Sequence, residues 1–348
     1  MIPRMHDITV LRVKEPAPGH PVFILHGRPG DPCYVAKQEN FKAAAVDGFY
    51  SDAWKSHARY DDTRENRALR DSVKKAGLEK VEGMLTTFGQ LASVYAACLE
   101  SLPEYRVLDA FEVARLFAQI RSASRDGEPL SEEVFTEYTN GSGAAKGLWF
   151  VMDCVDGLYD FKGLAQKLLP AHDPVARSII QFIRHNPEQT EELGRILAID
   201  AFLGNFDRAQ FVKEGARFKV SPLNLGNFFL VGNGLNGHAR FSGLDFYDPN
   251  SPYMDLRRED FVRQQEAAPW PGVMLTQGRA DLKPQLEPLL TALNDEFVKH
   301  GENRVFDAGH QDALVDGFRD GAKRLKKYLK STTGKAAGLK KRKAKLGW

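Results

Sequence analysis

Three short polar segments in the second half of the chain combine carboxylate, carboxamide and guanidinium groups. They are Asn205-Phe-Asp-Arg208, the stretch from Asn224 to Asn227 ahead of an apolar run, and Leu244-Asp-Phe246. Carboxylate and amide oxygens are the ligands that Mg²⁺ prefers, and Mg²⁺ accompanies the nucleotide in phosphoryl transfer. The residue types and their order therefore predict a site for a metal-bound nucleoside triphosphate.

The carboxylate of Asp207 should stand on a loop at the end of a helix. The apolar pattern predicts a helix from Glu191 to Leu203, and Gly204 is the kind of residue at which helices commonly end. Such a loop can present Asp207 to a substrate, with Asn205 and Arg208 fixing its geometry. An isolated Asn-x-Asp also occurs in ordinary turns, so the segment gains weight only beside the others.

Asp200 lies within that predicted helix, on the same face as Leu193, Ile196 and Leu197. A carboxylate in that position is either a buried hydrogen-bond acceptor that organises the following loop or the one exposed position of the helix. We favour the buried acceptor.

The segment between Asn227 and Asp245 has the pattern of a β-hairpin. Two apolar runs, 228–231 and 239–244, flank a stretch rich in glycine and asparagine at 232–237. Because a hairpin brings its two ends together, oxygens of Asn227 and Asp245 can converge on one magnesium ion. The sequence therefore predicts these two residues as metal ligands.

Lys37 is the candidate cation for the phosphate groups. It lies in the third of three predicted strands, 8–13, 21–26 and 33–39, which should form an antiparallel meander. A lysine on a rigid strand can reach phosphate as a point charge. The alternative is an edge-strand lysine that protects the sheet from aggregation.

The rest of the chain alternates between predicted helices and short strands. Helices are predicted at 57–80, 84–102 and 111–121, followed by a polar loop at 122–147 and a buried strand at 148–155. From residue 161 the pattern is mainly helical, with short strands near 218, 228 and 241 and further helices at 283–298 and 309–330. This order predicts an α+β fold.

The order of the motifs resembles the atypical kinases, which include actin-fragmin kinase-like, HipA-type and phosphoinositide-kinase-like catalytic domains. Their shared signature is an N-x-D-R or D-R-H segment, an Asn before a short apolar strand and a later Asp, similar to Asn205 to Arg208, Asn227 and Asp245 here. The actin-fragmin type fits best, because it tolerates an extra segment such as 209–223 between the first two motifs.

The resemblance implies a two-lobed protein-kinase-like fold. Residues 1–155 would form a small antiparallel β N-lobe with a helical insertion and a hinge strand. Residues 156–322 would form a mostly helical C-lobe with the catalytic and metal-binding loops, and 323–348 a basic tail.

The resemblance also implies a role for each candidate residue. Asp207 would be the catalytic-loop aspartate, flanked by Asn205 and Arg208, while Asn227 and Asp245 would hold Mg²⁺. In the N-lobe, Lys37 would be the phosphate lysine, Glu65 the glutamate that pairs with it, and Gly19 with His20 a short phosphate loop. The hinge residues beside ATP would be Met152, Asp153, Cys154 and Val155.

The composition is typical of a globular protein in a reducing compartment. Hydrophobic residues make up 43% of the chain, enough for a buried core. The three cysteines, Cys33, Cys98 and Cys154, include no C-x-x-C pair, so neither a disulfide framework nor a zinc site is indicated. The sequence shows no signal peptide and no membrane-spanning run. We expect a cytoplasmic protein, and a secreted effector stays open as the alternative.

Charge is divided unevenly along the chain. The formal net charge is +2, but residues 323–348 contain eleven Lys or Arg and no acid, which leaves −9 on the remainder. We expect a flexible tail, with 340–345 as a disordered cluster, that binds anionic lipid or another polyanion. A solvated terminus without a specific partner is the alternative. Sequence-specific nucleic-acid binding is not favoured, because the tail contains few aromatic residues.

Together these features predict an ATP- and Mg²⁺-dependent phosphotransferase, in the first place an atypical protein Ser/Thr kinase that acts on a hydroxyl of a protein substrate. Three alternatives stay open. They are a phosphoinositide kinase, a nucleotide-binding pseudokinase, and a kinase-fold protein that transfers AMP.

Overall fold

The computed structural model divides the chain into two compact units. It describes residues 5, 7–8, 12–14, 22–28, 31–39, 91–99, 105–108, 112–113, 115–116, 118–119, 124–125, 148–155, 158–167, 174–233, 238–244, 270–331 and 337–348. The first unit comprises 1–86 and 103–154, and the second comprises 87–102 and 155–348. The division after residue 154 lies beside the predicted boundary, but 87–102 belong to the second unit and not, as predicted, to the first.

A six-stranded sheet forms the centre of the first unit. Its strands are β1 (Arg12–Lys14), β2 (Val22–His26), β3 (Tyr34–Glu39), β4 (Tyr105–Val107), β5 (Ser124–Arg125) and β6 (Leu148–Asp153). They lie in the order β4-β6-β3-β2-β1-β5, and all neighbours are antiparallel except β1 and β5. The predicted meander and the buried strand β6 are confirmed, whereas β4 was not predicted and β5 lies within the predicted loop.

Alternating apolar side chains hold this sheet against its core. Phe23, Leu25, Ala36 and Trp149 are buried, and the rings of Phe23 and Trp149 stack with their centroids 5.8 Å apart. Because successive strand residues point to opposite faces, this alternation places one apolar face of the sheet inside the unit.

Helices dominate the second unit. They are α1 (Phe161–Lys167), α2 (Pro174–His185), α3 (Thr190–Leu203), α4 (Arg279–Lys299), α5 (Ala308–Ser331) and α6 (Ala337–Lys345), and residues 91–98 are also helical. Nearly every residue of α3 is buried, including Asp200, and α3 packs along α5. The predicted helices at 191–203, 283–298 and 309–330 are confirmed, with ends that differ by a few residues.

Two small antiparallel sheets complete the second unit. One contains β7 (Leu158–Asp160), β10 (Phe229–Asn233) and β11 (His238–Ser242) in the order β11-β10-β7, and the other is the hairpin of β8 (Ala209–Glu214) with β9 (Arg217–Pro222). The hairpin predicted between 227 and 245 is confirmed in β10 and β11. With helices beside small antiparallel sheets, the α+β prediction is confirmed as well.

The described parts of the basic C-terminal segment are helical, with 323–331 in α5 and 340–345 in α6, so the prediction of a flexible tail with a disordered cluster at 340–345 is wrong. Arg342 on α6 is 1% exposed. Its Nη1 donates to the carbonyl oxygens of Phe202 at 3.1 Å and Leu203 at 3.3 Å. These carbonyls belong to the last turn of α3, where a helix leaves acceptors without intrahelical partners, and satisfying them holds the segment in place.

Among the described helices, none is both long and apolar enough to cross a membrane.

Candidate functional site

The end of α3 sets the path of the candidate site loop. Gly204 has a left-handed backbone with φ of 76°, and its N–H donates to the carbonyl of Asp200 at 2.7 Å. The N–H of Asn205 reaches the same carbonyl at 3.0 Å. Glycine adopts this conformation without the Cβ penalty, so the chain turns sharply as α3 ends. The loop 205–208 therefore begins directly at the buried end of the helix.

Asp200 organises that loop from within, and the favoured prediction of a buried acceptor is confirmed. Its Oδ2 accepts from Arg208 Nη1 at 2.5 Å, and its Oδ1 accepts from Asn205 Nδ2 at 3.2 Å and from the Tyr95 hydroxyl. Asp200, Asn205 and Tyr95 are 0% exposed, and Arg208 is 1% exposed. The carboxylate thus has partners on both oxygens, as a buried charge requires.

Burial also determines the protonation of this network. Burial raises the pKa of the Tyr95 phenol well above its usual value, and the charge of Asp200 adds to the shift. Tyr95 therefore keeps its proton, and its hydroxyl donates a hydrogen bond to the carboxylate. Burial raises the pKa of Asp200 too, against the charge of Arg208 and the three side-chain hydrogen bonds that favour the ionised form.

Arg208 joins the loop to both ends of the β10–β11 hairpin. Its Nε donates to the carbonyl of Asn227 at 3.0 Å, just before β10, and its Nη2 donates to the carbonyl of Leu244 at 2.5 Å, just after β11. With Asp200 on Nη1, each nitrogen of the guanidinium group has a partner. One buried side chain therefore fixes the relative positions of α3, the loop and the hairpin.

Asp207 is held by its backbone on both sides. Its N–H donates to Asn205 Oδ1 at 3.2 Å, and its carbonyl accepts from Asn227 Nδ2 at 3.1 Å. The residue itself is only half-buried, unlike its neighbours Asn205 and Arg208. The loop therefore holds the backbone of Asp207 in a rigid frame, while Asn205 and Arg208 act as positioning residues.

Asn227 lies beside Asp207 at the start of the hairpin. It ends a short 3₁₀ turn, Leu225–Asn227, which begins with the Asn224 side chain accepting from the Gly226 N–H at 3.0 Å. Since the amide nitrogen of Asn227 donates to Asp207, its oxygen is the end that can serve as a ligand. Asp245, the second predicted ligand, lies outside the described residues, but its neighbour Leu244 is bonded to Arg208.

Lys37 belongs to the first unit, in the interior of its sheet. It is paired with Val22 on β2 and Phe150 on β6, so β3 is not an edge strand and the aggregation-blocking alternative is wrong. Its Nζ lies 6.0 Å from the centroid of the Phe150 ring. The half-buried lysine therefore lies on an interior strand of the sheet.

The predicted hinge lies where the chain passes from the first unit to the second. Met152 and Asp153 end β6, and the N–H of Cys154 donates to the carbonyl of Cys33 at 3.0 Å. The division between the units falls between Cys154 and Val155. Three other predicted N-lobe residues, Gly19, His20 and Glu65, lie outside the described residues.

Two features of the site were missed in the sequence. Tyr95 contacts Asp200 from a helix 105 residues away along the chain, and no local pattern connects the two. The strand β8 was also missed. Apolar residues such as Phe211 and Val220 alternate with polar residues on either side of Gly215, and this pattern is typical of a hairpin. Gly215 has a φ of 61°. This hairpin is the segment 209–223 between the two motifs.

Comparison with known proteins found no match to the chain among protein-family models, curated proteins or solved structures. In the part of the chain that the structure describes, no group of three or more His, Cys, Asp or Glu side chains is arranged to hold a metal ion. The predicted magnesium pair is not a group of this kind, because it contains an asparagine and because Asp245 lies outside the described residues.

Proposed function

We propose that the protein is an ATP- and Mg²⁺-dependent phosphotransferase that acts on a hydroxyl group of a protein, with a fold of the atypical kinase type. The observation that supports it best is the frame around Asp207. A buried Asp200–Arg208 pair connects the loop to both ends of the hairpin, and Asn205 and Asn227 hold the backbone of Asp207. Phosphoryl transfer depends mainly on such positioning of a few polar groups.

In this proposal Asp207 orients the acceptor hydroxyl and takes up its proton. Asp207 is half-buried as a residue, and the two hydrogen bonds of its backbone restrict its position. Lys37 places its charge against the phosphates of ATP, and the hinge from Met152 to Val155 contacts adenine. Asn205 and Arg208 contribute by positioning Asp207.

Asn227 and Asp245 suit a magnesium ion because both side chains offer oxygen atoms as ligands. Mg²⁺ takes oxygen ligands and is usually bound by one or two protein side chains together with phosphates and water. The side-chain oxygen of Asn227 would be one ligand and the carboxylate of Asp245 the other. When bound, the ion would neutralise charge on the phosphates during transfer.

Exchange of Asp207 for Asn tests the proposal, because it removes the proton acceptor and keeps the shape. We expect the Asp207→Asn variant to lose transfer of the γ-phosphate label from ATP by about 10²- to 10⁴-fold, the usual contribution of a general base. Asp245→Ala should abolish Mg²⁺-dependent transfer. The matched control is Asp295→Asn on the exposed face of α4, which should keep full activity. Retained turnover in both site variants, with unchanged thermal unfolding, would contradict the proposal.

Label position and substrate separate the remaining alternatives. Transfer of the γ-phosphate label to generic proteins supports a protein kinase, and transfer to mixed inositol lipids supports a phosphoinositide kinase. Transfer of the α-phosphate label indicates AMP transfer. Thermal stabilisation by ATP without transfer of either label indicates a pseudokinase and contradicts the proposed activity.

A further inference from the structure

A cavity of about 400 Å³ lies between the C-terminal segment and α5, within the second unit. This volume falls in the range of small-molecule sites. Cationic and apolar side chains predominate in its lining, chiefly Arg319, Lys323, Lys326, Leu275, Leu346 and Trp348. It is separate from the residues that form the loop around Asp207.

Three cations form one face of the cavity. Arg319, Lys323 and Lys326 are spaced four and three residues apart on α5, so they lie along one side of the helix. Arg319 and Lys323 are exposed, and the Nζ of Lys326 lies 5.9 Å from the centroid of the Trp348 ring. Among the described residues that line the cavity, none has an acidic side chain.

The nearby acids of α5 already have other partners. Asp316 pairs with Arg279 at 3.2 Å, and Asp320 pairs with Arg195 and with Arg324 at 2.8 Å each. Across the described residues, no ion pair is formed by any of the three cavity cations. Their positive charge therefore remains available to a ligand.

The opposite wall is apolar and anchored. Trp348 stacks on Phe202 with a centroid distance of 6.4 Å and an interplanar angle of 11°, and Leu275 and Leu346 are 8% exposed. A flat indole beside three cations suits a ligand that carries an anionic group next to an apolar or aromatic one. Phosphate fits the charged side best, because a guanidinium fork and two ammonium groups together match a dianion with three terminal oxygens.

We propose that this cavity binds a phosphate monoester attached to an apolar group, with phosphate at Arg319, Lys323 and Lys326 and the apolar group against Trp348. The site does not depend on the proposed catalytic function. The same chemistry is presented by a soluble phosphate ester and by the headgroup of phosphatidic acid, so the experiment must separate these two sources.

The probes are phenyl phosphate, phenol, and phosphatidylcholine vesicles with or without phosphatidic acid. Calorimetry with the full chain should detect binding of phenyl phosphate and not of phenol. Binding of the vesicles only when they contain phosphatidic acid would identify a lipid source. Binding of phenyl phosphate alone would identify a soluble ester. Added salt should weaken either interaction, since the cations are largely exposed.

A charge-matched pair of double variants gives the decisive comparison. Arg319→Gln with Lys323→Gln removes two cavity cations, while Lys327→Gln with Lys330→Gln removes two exposed charges from the same helix outside the cavity. The double variant within the cavity should bind the effective probe at least about tenfold more weakly, as expected for the loss of charge-assisted hydrogen bonds. The double variant outside the cavity should bind the probe almost as tightly as the unchanged protein. Equal losses of affinity in the two double variants, or no binding of any probe, would overturn the proposal.

Discussion

At the scale of single residues, Arg208 holds the candidate site together. Its guanidinium group contacts the Asp200 carboxylate and the carbonyl oxygens of Asn227 and Leu244, all in the second unit. A buried pair of this kind adds little net stability compared with apolar residues, but removing one partner is costly. The arrangement therefore specifies where the loop lies more than it stabilises the fold.

Replacing Arg208 by Met should lower the free energy of unfolding by about 3–5 kcal/mol, because the Asp200 charge would stay buried without its cation. Urea denaturation measures this change. Burial would then be opposed only by the hydrogen bonds from Tyr95 and Asn205, so the pKa of Asp200 would rise further and its protonated form would be favoured. The loss of stability should therefore be smaller in acid than at neutral pH.

Two further variants control this prediction. Arg240→Met removes an exposed arginine from β11 and should change stability by less than about 0.5 kcal/mol. Asp200→Asn combined with Arg208→Met should cost less than the sum of the single changes, since the two side chains are in direct contact. Additive effects would show that Arg208 acts without Asp200.

At the scale of secondary-structure elements, the position of α3 depends on its close contact with α5. Gly194 on α3 and Gly317 on α5 lie at the crossing, and a Cβ at Gly317 would collide with the backbone of Glu191. Glycine costs helix stability in an isolated helix, but here it allows the two backbones to approach. The end of α3, and with it the loop at 205–208, is placed by this contact.

Replacing Gly317 by Ala should therefore destabilise the protein, although alanine is the better helix former by about 1 kcal/mol. Overpacking against backbone atoms should outweigh that gain and produce a net loss of about 1–3 kcal/mol. Thermal unfolding followed by circular dichroism measures the change.

The comparison variant is Gly309→Ala in the first turn of the same helix. The nearest atoms that a Cβ there would meet belong to side chains, at 3.2 Å for Asp307 Oδ1 and 3.4 Å for Pro187 Cγ. Its effect should be much smaller. A stabilised Gly317→Ala protein would refute the close packing of α3 and α5.

At the scale of the whole molecule, the C-terminal segment is part of the second unit. Arg342 and Trp270 both donate to the carbonyl of Phe202, and Trp348 stacks on the Phe202 ring. Phe202 lies three residues before Asn205. The basic segment thus supports the end of the helix from which the candidate site begins.

Replacing Arg342 by Gln should destabilise the protein by about 1–3 kcal/mol, because carbonyl oxygens at the end of α3 would lose a buried donor. It should also make the segment 337–348 more sensitive to trypsin, which cleaves after lysine and arginine. Denaturation and timed proteolysis with mass spectrometry measure the two effects. Lys340→Gln, which changes an exposed residue of the same helix, should alter the stability very little. A wild-type segment cleaved as fast as an unfolded peptide would contradict the docked arrangement.

Local patterns in the sequence were sufficient for much of the secondary structure. The helix before Gly204, the meander of β1 to β3 and the β10–β11 hairpin each depend on apolar spacing and turn residues within a short stretch. The same patterns placed Asp207 on a loop and favoured burial of Asp200. These features could be predicted because neighbouring residues determine them.

Sequence patterns predict which polar groups follow which elements, whereas the partners of those groups depend on how the chain folds. Tyr95 and Leu244 meet the Asp200–Arg208 pair across long separations in sequence. Arg342 was predicted to lie in a disordered cluster of a flexible tail, yet it is buried against α3. Charge and periodicity describe a segment alone, but burial depends on which unsatisfied carbonyls and apolar surfaces another segment offers.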